Sequence, residues 1–281
     1  MSRALITEAA DRLAAAGVAS PRHDAEVLAA HVLGVPRGRL ALLEPADFES
    51  ARPAYAAAIA RRAAREPLQH VVGSAPFRRL ELAVGPGVLI PRPETELLVD
   101  AVLAWLRTAD LAGLTRPRIV DLGAGSGALA LAIADETPAV VWAVERDPGA
   151  LAWAARNVAA TGLAVELVAG DMADALAELD GTVDVVVSNP PYLPLDVLPA
   201  LEPEVRDHDP AGALFAGADA LAAIRTVESS ARRLLRPGGL VVVEHGDDQE
   251  ASAPACFAGW NDVSDHLDLA RRPRYLTAVH P

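Results

Sequence analysis

The chain has no lysine and a single cysteine, and no apolar run in it approaches the ~20 residues that a membrane span needs. One cysteine, Cys256, cannot close an internal disulfide and has no metal-ligating neighbours in sequence, so it reads as a small hydrophobe at or near a core. The histidines lack helical ligand spacing and the carboxylates are dispersed, which leaves no metal site to expect. Nor do any side chains suggest a nucleophile–base pair. Residues 1–17 carry Glu8, Asp11 and Arg12 inside their apolar pattern, which rules against a signal-peptide core and makes the cytoplasm the expected location. Internal repeats and low-complexity tracts are missing too, although alanine is abundant throughout.

All 25 basic residues are arginine, set against 38 acidic ones for a net charge of −13. The charge is unevenly spread: the first 80 residues hold 11 Arg and 8 acidic residues, the remainder 14 Arg and 30 acidic residues. An acidic body repels phosphate backbones, so direct DNA binding is not expected. At 281 residues, with 52% hydrophobic and 22% charged side chains, the chain suits a globular protein of one large or two smaller domains.

From Arg3 to about Arg65 apolar residues recur at spacings of three and four, as in Leu5, Ala9, Leu13 and Ala25, Leu28, Ala29, Val32, which predicts some four helices. Ser20-Pro21 has the form of an N-cap followed by proline at the first helical position, and Gly34, Pro36 and Pro53 mark further breaks. A helical domain over 1–73 follows. Alternation over Phe77 to Val84, with Gly85-Pro86-Gly87 turning the chain into Val88-Leu89-Ile90, predicts a β-hairpin linker over 74–93. Beyond Glu94 the period switches repeatedly, with strands at 119–122, 140–144, 165–168, 183–188 and 240–243 separated by helical stretches. That alternation predicts a doubly wound parallel sheet over 94–281, an α/β fold.

Three strand ends carry the chemistry. The run Val183 to Ser188 reads as a strand buried on both faces, and Asn189-Pro190-Pro191-Tyr192 follows it directly. Ligands of open α/β sheets bind at such carboxyl ends. The prolines cannot pair as strand and fix the direction of their carbonyls. With the Asn189 side-chain oxygen and the Tyr192 ring they form an acceptor array suited to a planar group bearing an NH2, such as an amide or an exocyclic base amine. The first strand runs into Gly123-Ala124-Gly125-Ser126-Gly127, whose alternate glycines let backbone turn tightly and approach a ligand. Its spacing is tighter than the dinucleotide fingerprint and resembles the S-adenosylmethionine loop of class I methyltransferases. Glu145 ends the second strand, 18 residues beyond Gly127, where a carboxylate can accept from both ribose hydroxyls. Asp171 and Met172 close the third, where the resemblance to class I methyltransferases implies contact with the adenine, Asp171 near its amine and Met172 along its ring face.

Together these features resemble the HemK/PrmC family, the release factor glutamine methyltransferases, over nearly the full chain. Arg65-Glu66-Pro67-Leu68-Gln69-His70, the run Gly87 to Glu96, Glu204-Val205-Arg206-Asp207 and Glu244-His245-Gly246 also fit that family. The resemblance implies a class I methyltransferase fold with a C-terminal antiparallel hairpin, preceded by the helical domain for substrate recognition. It implies S-adenosylmethionine as cofactor, held by residues 123–127, Glu145, Asp171, Met172 and Asn189. The substrate it implies is the glutamine of the Gly-Gly-Gln loop in peptide chain release factors, whose amide nitrogen Asn189 and Pro190 would aim while Pro191 and Tyr192 pack it. A monomer is expected. His245 reads as a satisfied structural histidine. Two alternatives stay open from the residues alone, an amino methyltransferase acting on adenine or cytosine and a non-catalytic nucleotide-binding scaffold.

Overall fold

The computed structural model describes residues 2–108, 115–217 and 220–281. The chain divides into two compact units, one made of Met1–Ser74 with Leu201–His208 and the other of Ala75–Ala200 with Asp209–Pro281.

The first unit contains α1 (Ser2–Ala15), α2 (Pro21–Leu33), α3 (Pro45–Ala63) and α4 (Leu68–Val72), with a 3-10 turn over Arg37–Leu42. Leu13, Ala25, Leu28, Phe48, Tyr55 and Ile59 form its core. Pro21 does open α2, but the Ser20 hydroxyl makes no capping bond. Pro53 does not break the chain as its type suggests: it lies inside α3, where burial of Phe48, Tyr55 and Ile59 on either side outweighs the lost backbone bond. The segment 201–208, which carries α8 (Pro203–Arg206), belongs to this unit through ion pairs. Arg62 contacts Asp24 and Glu204 at 2.8 Å each, and Arg65 meets Glu204 at 2.6 Å. Burial works to raise the Glu204 carboxyl, but hydrogen bonds from Arg65, from backbone and from Arg62 prevail and hold it at about 2. Two of the stretches that fit the family, 65–70 and 204–207, thus meet.

In the second unit a two-stranded hairpin pairs β1 (Ser74–Phe77) with β2 (Leu80–Ala83). This corrects the sequence expectation in position. The turn falls at Arg78-Arg79, where Arg78 takes φ 53° and its guanidinium is held by Glu136 and Asp100. Val88 to Ile90 is not a strand: Val88 and Ile90 are buried in a small cluster with Ala75, Val84 and Ala150.

The main sheet orders its strands β5-β4-β3-β6-β7-β9-β8. β3 (Arg118–Leu122), β4 (Val140–Glu145), β5 (Val165–Ala169), β6 (Val183–Ser188) and β7 (Leu235–Glu244) are parallel; β9 (Pro273–Val279) runs antiparallel between β7 and β8 (Asn261–Leu267). Strand residues alternate between two cores, as period-two geometry demands. Ile119, Val141, Val185, Val187 and Val242 pack under α5 (Glu96–Leu106) and α6 (Ala128–Glu136). Val120, Leu122, Trp142, Val144, Val186 and Val241 pack under α10 (Ala222–Leu234) with Phe257 and Trp260. α7 (Pro148–Thr161), the short α9 (Ala211–Leu214) and α11 (Ser252–Ala255) complete the unit. With both faces covered, every residue of β6 is buried, which is why its sequence reads as a continuous apolar run. The chain winds outward from β3 to β5 and then returns to β6 on the other side of β3. The strand order therefore reverses between β3 and β6, and a crevice opens beyond their carboxyl ends.

Candidate active site

A cavity of about 400 Å³ occupies that crevice, lined among others by Gly123, Gly125, Glu145, Met172, Asn189 and Pro191. The glycine loop is tied to the end of β4. Val144 O accepts from both Gly123 N–H and Ala124 N–H at 2.9 Å, and Glu145 Oε2 accepts from Gly125 N–H at 2.8 Å. Glu145 Oε1 accepts from Asp147 N–H, also at 2.8 Å, so the carboxylate is fixed in place while each oxygen keeps a further lone pair. Gly123 and Gly125 take φ of 76° and 57°, and a Cβ on Gly125 would meet nothing within 4 Å, consistent with its place on the cavity wall.

Of the remaining loop residues, Ala124, Ser126 and Gly127 do not line the cavity. Gly127 sits at the N-cap of α6, and Ser126 is buried with its carbonyl bonded to Asn157 Nδ2 at 3.0 Å. Asn157 also bonds both backbone groups of Ala83, clamping β2 to the loop. Asp121, just before the loop, is fully buried. Its Oδ2 accepts from Ala130 N–H at 3.1 Å and Oδ1 has no partner; burial pushes its carboxyl up to about 7, against the pull of that backbone donor. Met172 lies half-buried on the cavity wall, whereas Asp171 is exposed, bonded to Ala173 N–H and 3.4 Å from Arg146, and is not part of the wall.

On the other side, Asn189 and Pro191 face the cavity, while Pro190 and Tyr192 do not line it. The Asn189 Nδ2 donates to Thr95 Oγ1 at 3.1 Å, and Thr95 Oγ1 donates to Glu244 Oε2 at 2.7 Å. Tyr192 packs against the second core, and its hydroxyl donates to Glu244 Oε1 at 3.2 Å. Burial pushes Glu244 up to about 7, opposed by Thr95, Tyr192 and Arg274. Tyr192 is raised as well, by burial first and then by the Glu244 charge. His245 beside it is fully buried, with Nδ1 at 2.8 Å from Gly246 O and Nε2 at 2.8 Å from Asp265 Oδ1, a satisfied histidine.

Sequence reasoning missed part of this wall. Gly87, Val88 and Leu89 line the cavity from what had looked like a turn and the strand after it, and Pro210, Gly212 and Ala213 line it from α9 and the residue before it. Thr95 and Glu244 stand in stretches that fit the family, but nothing in their spacing tells that they touch. Among the described residues no group of three or more His, Cys, Asp or Glu could hold a metal, and no helix is long and apolar enough to cross a membrane.

Residues 4–73 match the family model described as the PrmC N-terminal domain, and residues 96–195 match that of the methyltransferase small domain. A release factor glutamine methyltransferase of Streptomyces coelicolor is 52% identical over 277 residues, 97% of this chain and 96% of that protein. The chain belongs to the release factor glutamine methyltransferase family. A 4-amino-L-phenylalanine/4-methylamino-L-phenylalanine methyltransferase of Streptomyces pristinaespiralis is 41% identical over 92% of this chain and 89% of its own length. Among solved structures, the 16S rRNA N2 G1207 methyltransferase of T. Thermophilus, in complex with AdoMet and guanosine, matches with a TM-score of 0.54 at 22% identity, covering 74% of this chain and 50% of that one. That likeness is one of fold, and the class I methyltransferase fold is what the sheet order displays.

The cofactor of such a methyltransferase is S-adenosylmethionine. The cavity suits it in size, lying within the ~300–1,000 Å³ typical of small-molecule sites. The open Cβ position at Gly125 and the spare lone pairs of Glu145 suit it in chemistry.

Proposed function

We propose that this protein methylates the side-chain amide nitrogen of the glutamine in the Gly-Gly-Gln loop of peptide chain release factors, and so modulates translation termination. One observation carries the reading: the wall of a single cavity holds both the glycine loop with Glu145 and the leading asparagine of Asn189-Pro190-Pro191-Tyr192.

In this reading S-adenosylmethionine, when bound, supplies an electrophilic methyl group on a sulfonium. The glycine loop 123–127 leaves room for it, Glu145 accepts from its ribose hydroxyls and Met172 packs the adenine face, with Asp171 at the rim. An amide nitrogen is a poor nucleophile because its lone pair is delocalised into the carbonyl. Asn189 Oδ1 and Pro190 O, the carbonyl that joins buried Pro190 to the wall residue Pro191, accept its two N–H bonds, aiming the nitrogen and favouring loss of conjugation as positive charge develops. The nitrogen takes the methyl that the bound cofactor would release with a thioether as leaving group, and then gives its proton to solvent. No strong base is needed before attack. Pro191 borders the substrate amide, while Tyr192 holds the backbone of the motif from behind.

The helical unit, residues 1–74 with 201–208, serves as the surface for the protein substrate, and the second unit, which includes the hairpin expected as a linker over 74–93, serves as the catalytic domain. The protein acts in the cytoplasm as a monomer, without binding DNA directly. Transfer of labelled methyl to purified release factor tests the reading, with mass spectrometry locating the modified residue. Labelling should disappear when the Gly-Gly-Gln glutamine is changed to glutamate, which has no amide nitrogen. The name of the 41% identical relative makes a free aryl amine a second substrate to offer. Methylation of 4-aminophenylalanine, or of adenine in DNA or RNA, with release factor untouched would overturn the assignment.

A further inference from the structure

We propose that Glu244 and Thr95 form a positioning pair that fixes which way the Asn189 amide faces, so that its oxygen and not its nitrogen is offered to the substrate. The inference rests on the role given to Asn189 above and assigns neither residue a contact with substrate.

The argument is one of counting protons. An ionised carboxylate only accepts, and the two oxygens of Glu244 face two hydroxyls, Thr95 Oγ1 at 2.7 Å and Tyr192 Oη at 3.2 Å. Thr95 has one hydroxyl proton, and the charge-assisted bond to Glu244 claims it. Its oxygen can then only accept from its other neighbour, and the group 3.1 Å away on Asn189 must be the NH2. The Oδ1 of Asn189 is thereby left for the cavity that Asn189 lines. Without the carboxylate, the Thr95 hydroxyl could donate equally well to Asn189 Oδ1. The amide could then turn its NH2 to the substrate, which needs an acceptor there. Thr95 is 5% exposed and Glu244 is 1% exposed, so water does not compete for these bonds.

The pair is also sensitive to protonation. Burial holds the Glu244 carboxyl at about 7, and the charged or titratable groups around it are Arg274 and Tyr192, which stabilise its charge, and Glu94, which opposes it. Tyr275 is its cross-strand neighbour on β9, and buried His245, paired with the exposed Asp265, follows one residue on. Because the folded-state value is raised, Glu244 is ionised and Asn189 locked above it. Acid releases the Thr95 proton and unlocks the amide.

Thr95→Val, which keeps the shape and removes the hydroxyl, should lower the single-turnover rate about thirtyfold, with affinity for S-adenosylmethionine and KM for release factor within about threefold of the parent. Thr95→Ser should recover most of that loss. Glu244→Gln, whose amide NH2 cannot accept, should also be slow and should lack the fall in rate expected of the parent on acidification through about pH 7. Unchanged thermal midpoints for the two threonine variants separate positioning from folding. A Thr95→Val rate within threefold of the parent, or a Thr95→Ser variant as slow as Thr95→Val, overturns the pair. Asn189→Ala distinguishes the two levels: slow Asn189→Ala with fast Thr95→Val sinks only the positioning pair, whereas an unimpaired Asn189→Ala sinks the role of Asn189 and the pair with it.

Discussion

Asp121 and Glu244 are both fully buried carboxylates at the carboxyl ends of parallel strands, and burial pushes each up to about 7, yet they are used differently. Asp121 takes one backbone N–H from the first turn of α6 and leaves an oxygen without a partner; Glu244 fills both oxygens with side-chain hydroxyls. The same division runs through the two halves of the cleft. On the cofactor side, backbone does most of the work: two loop N–H groups meet Val144 O, a third meets Glu145, and Asn157 grips the carbonyl of Ser126. On the acceptor side the links are side chain to side chain, from Asn189 through Thr95 and Glu244 to Tyr192. Backbone scaffolding suits the adenosine portion of a cofactor, whose hydrogen-bonding groups do not change as the methyl leaves. A substrate amide whose charge develops in the transition state calls for an oriented side-chain acceptor.

The comparison is tested most strongly on the acceptor side. Asn189→Ala removes the acceptor proposed for the substrate amide, one that would matter most as that amide loses conjugation. The single-turnover rate should fall about a hundredfold or more, by analogy with deleting one preorganised transition-state hydrogen bond, with cofactor affinity little changed. Rapid-quench measurement beside calorimetry checks it. An equal loss in both would mean that Asn189 belongs to the cofactor side and that the cleft is not divided as described.

On the cofactor side the expected loss is in binding. Glu145→Ala deletes the charged acceptor proposed for the ribose and releases Gly125 N–H and Asp147 N–H together. Calorimetry should give an affinity for S-adenosylmethionine weaker by about 2 kcal/mol, roughly thirtyfold. Methyl transfer at saturating cofactor should stay within a few-fold of the parent. A large fall in the saturated rate with unchanged affinity would reverse the two roles.

Much of this cleft was legible because its parts are local. Val183 to Ser188 announces a buried strand, the motif after it announces a strand end, and the alternate glycines after Leu122 with Glu145 at the end of β4 announce a ligand loop. What escaped is whatever depends on distant partners. Thr95 and Glu244 lie 149 residues apart, and Asn157 reaches Ala83 across 74. Segment 201–208 reads as part of the catalytic domain until its carboxylates are seen to pair with Arg62 and Arg65. The hairpin was misplaced because Gly85-Pro86-Gly87 is the stronger turn signal. The real turn at Arg78-Arg79 is held instead by long-range ion pairs that no local propensity encodes.

The smallest expected effect separates the two buried carboxylates themselves. A carboxyl whose folded value is near 7 and whose unfolded value is near 4 binds its proton more tightly in the folded protein. Its contribution to stability is therefore most favourable below about pH 4 and is lost as pH rises towards 7. Asp121→Asn removes that loss, because a neutral amide replaces a charge whose second oxygen has no partner. The variant should match the parent near pH 4 and melt a few degrees higher at pH 8. Glu244→Gln should rise against the parent by a similar amount between pH 4 and 8, because its carboxyl is raised as far, but from a lower start: the new NH2 cannot accept the hydroxyl of Thr95 or Tyr192 that faces it. Thermal melts of the two variants and the parent across pH 4 to 8 decide the matter. Equal stabilisation of both at pH 8 would mean that burial alone governs these carboxylates and that the filled or empty oxygen makes no difference. Parallel rises with Glu244→Gln below Asp121→Asn at every pH would show that the hydroxyls at Glu244 depend on an accepting carboxylate, the condition its positioning role requires.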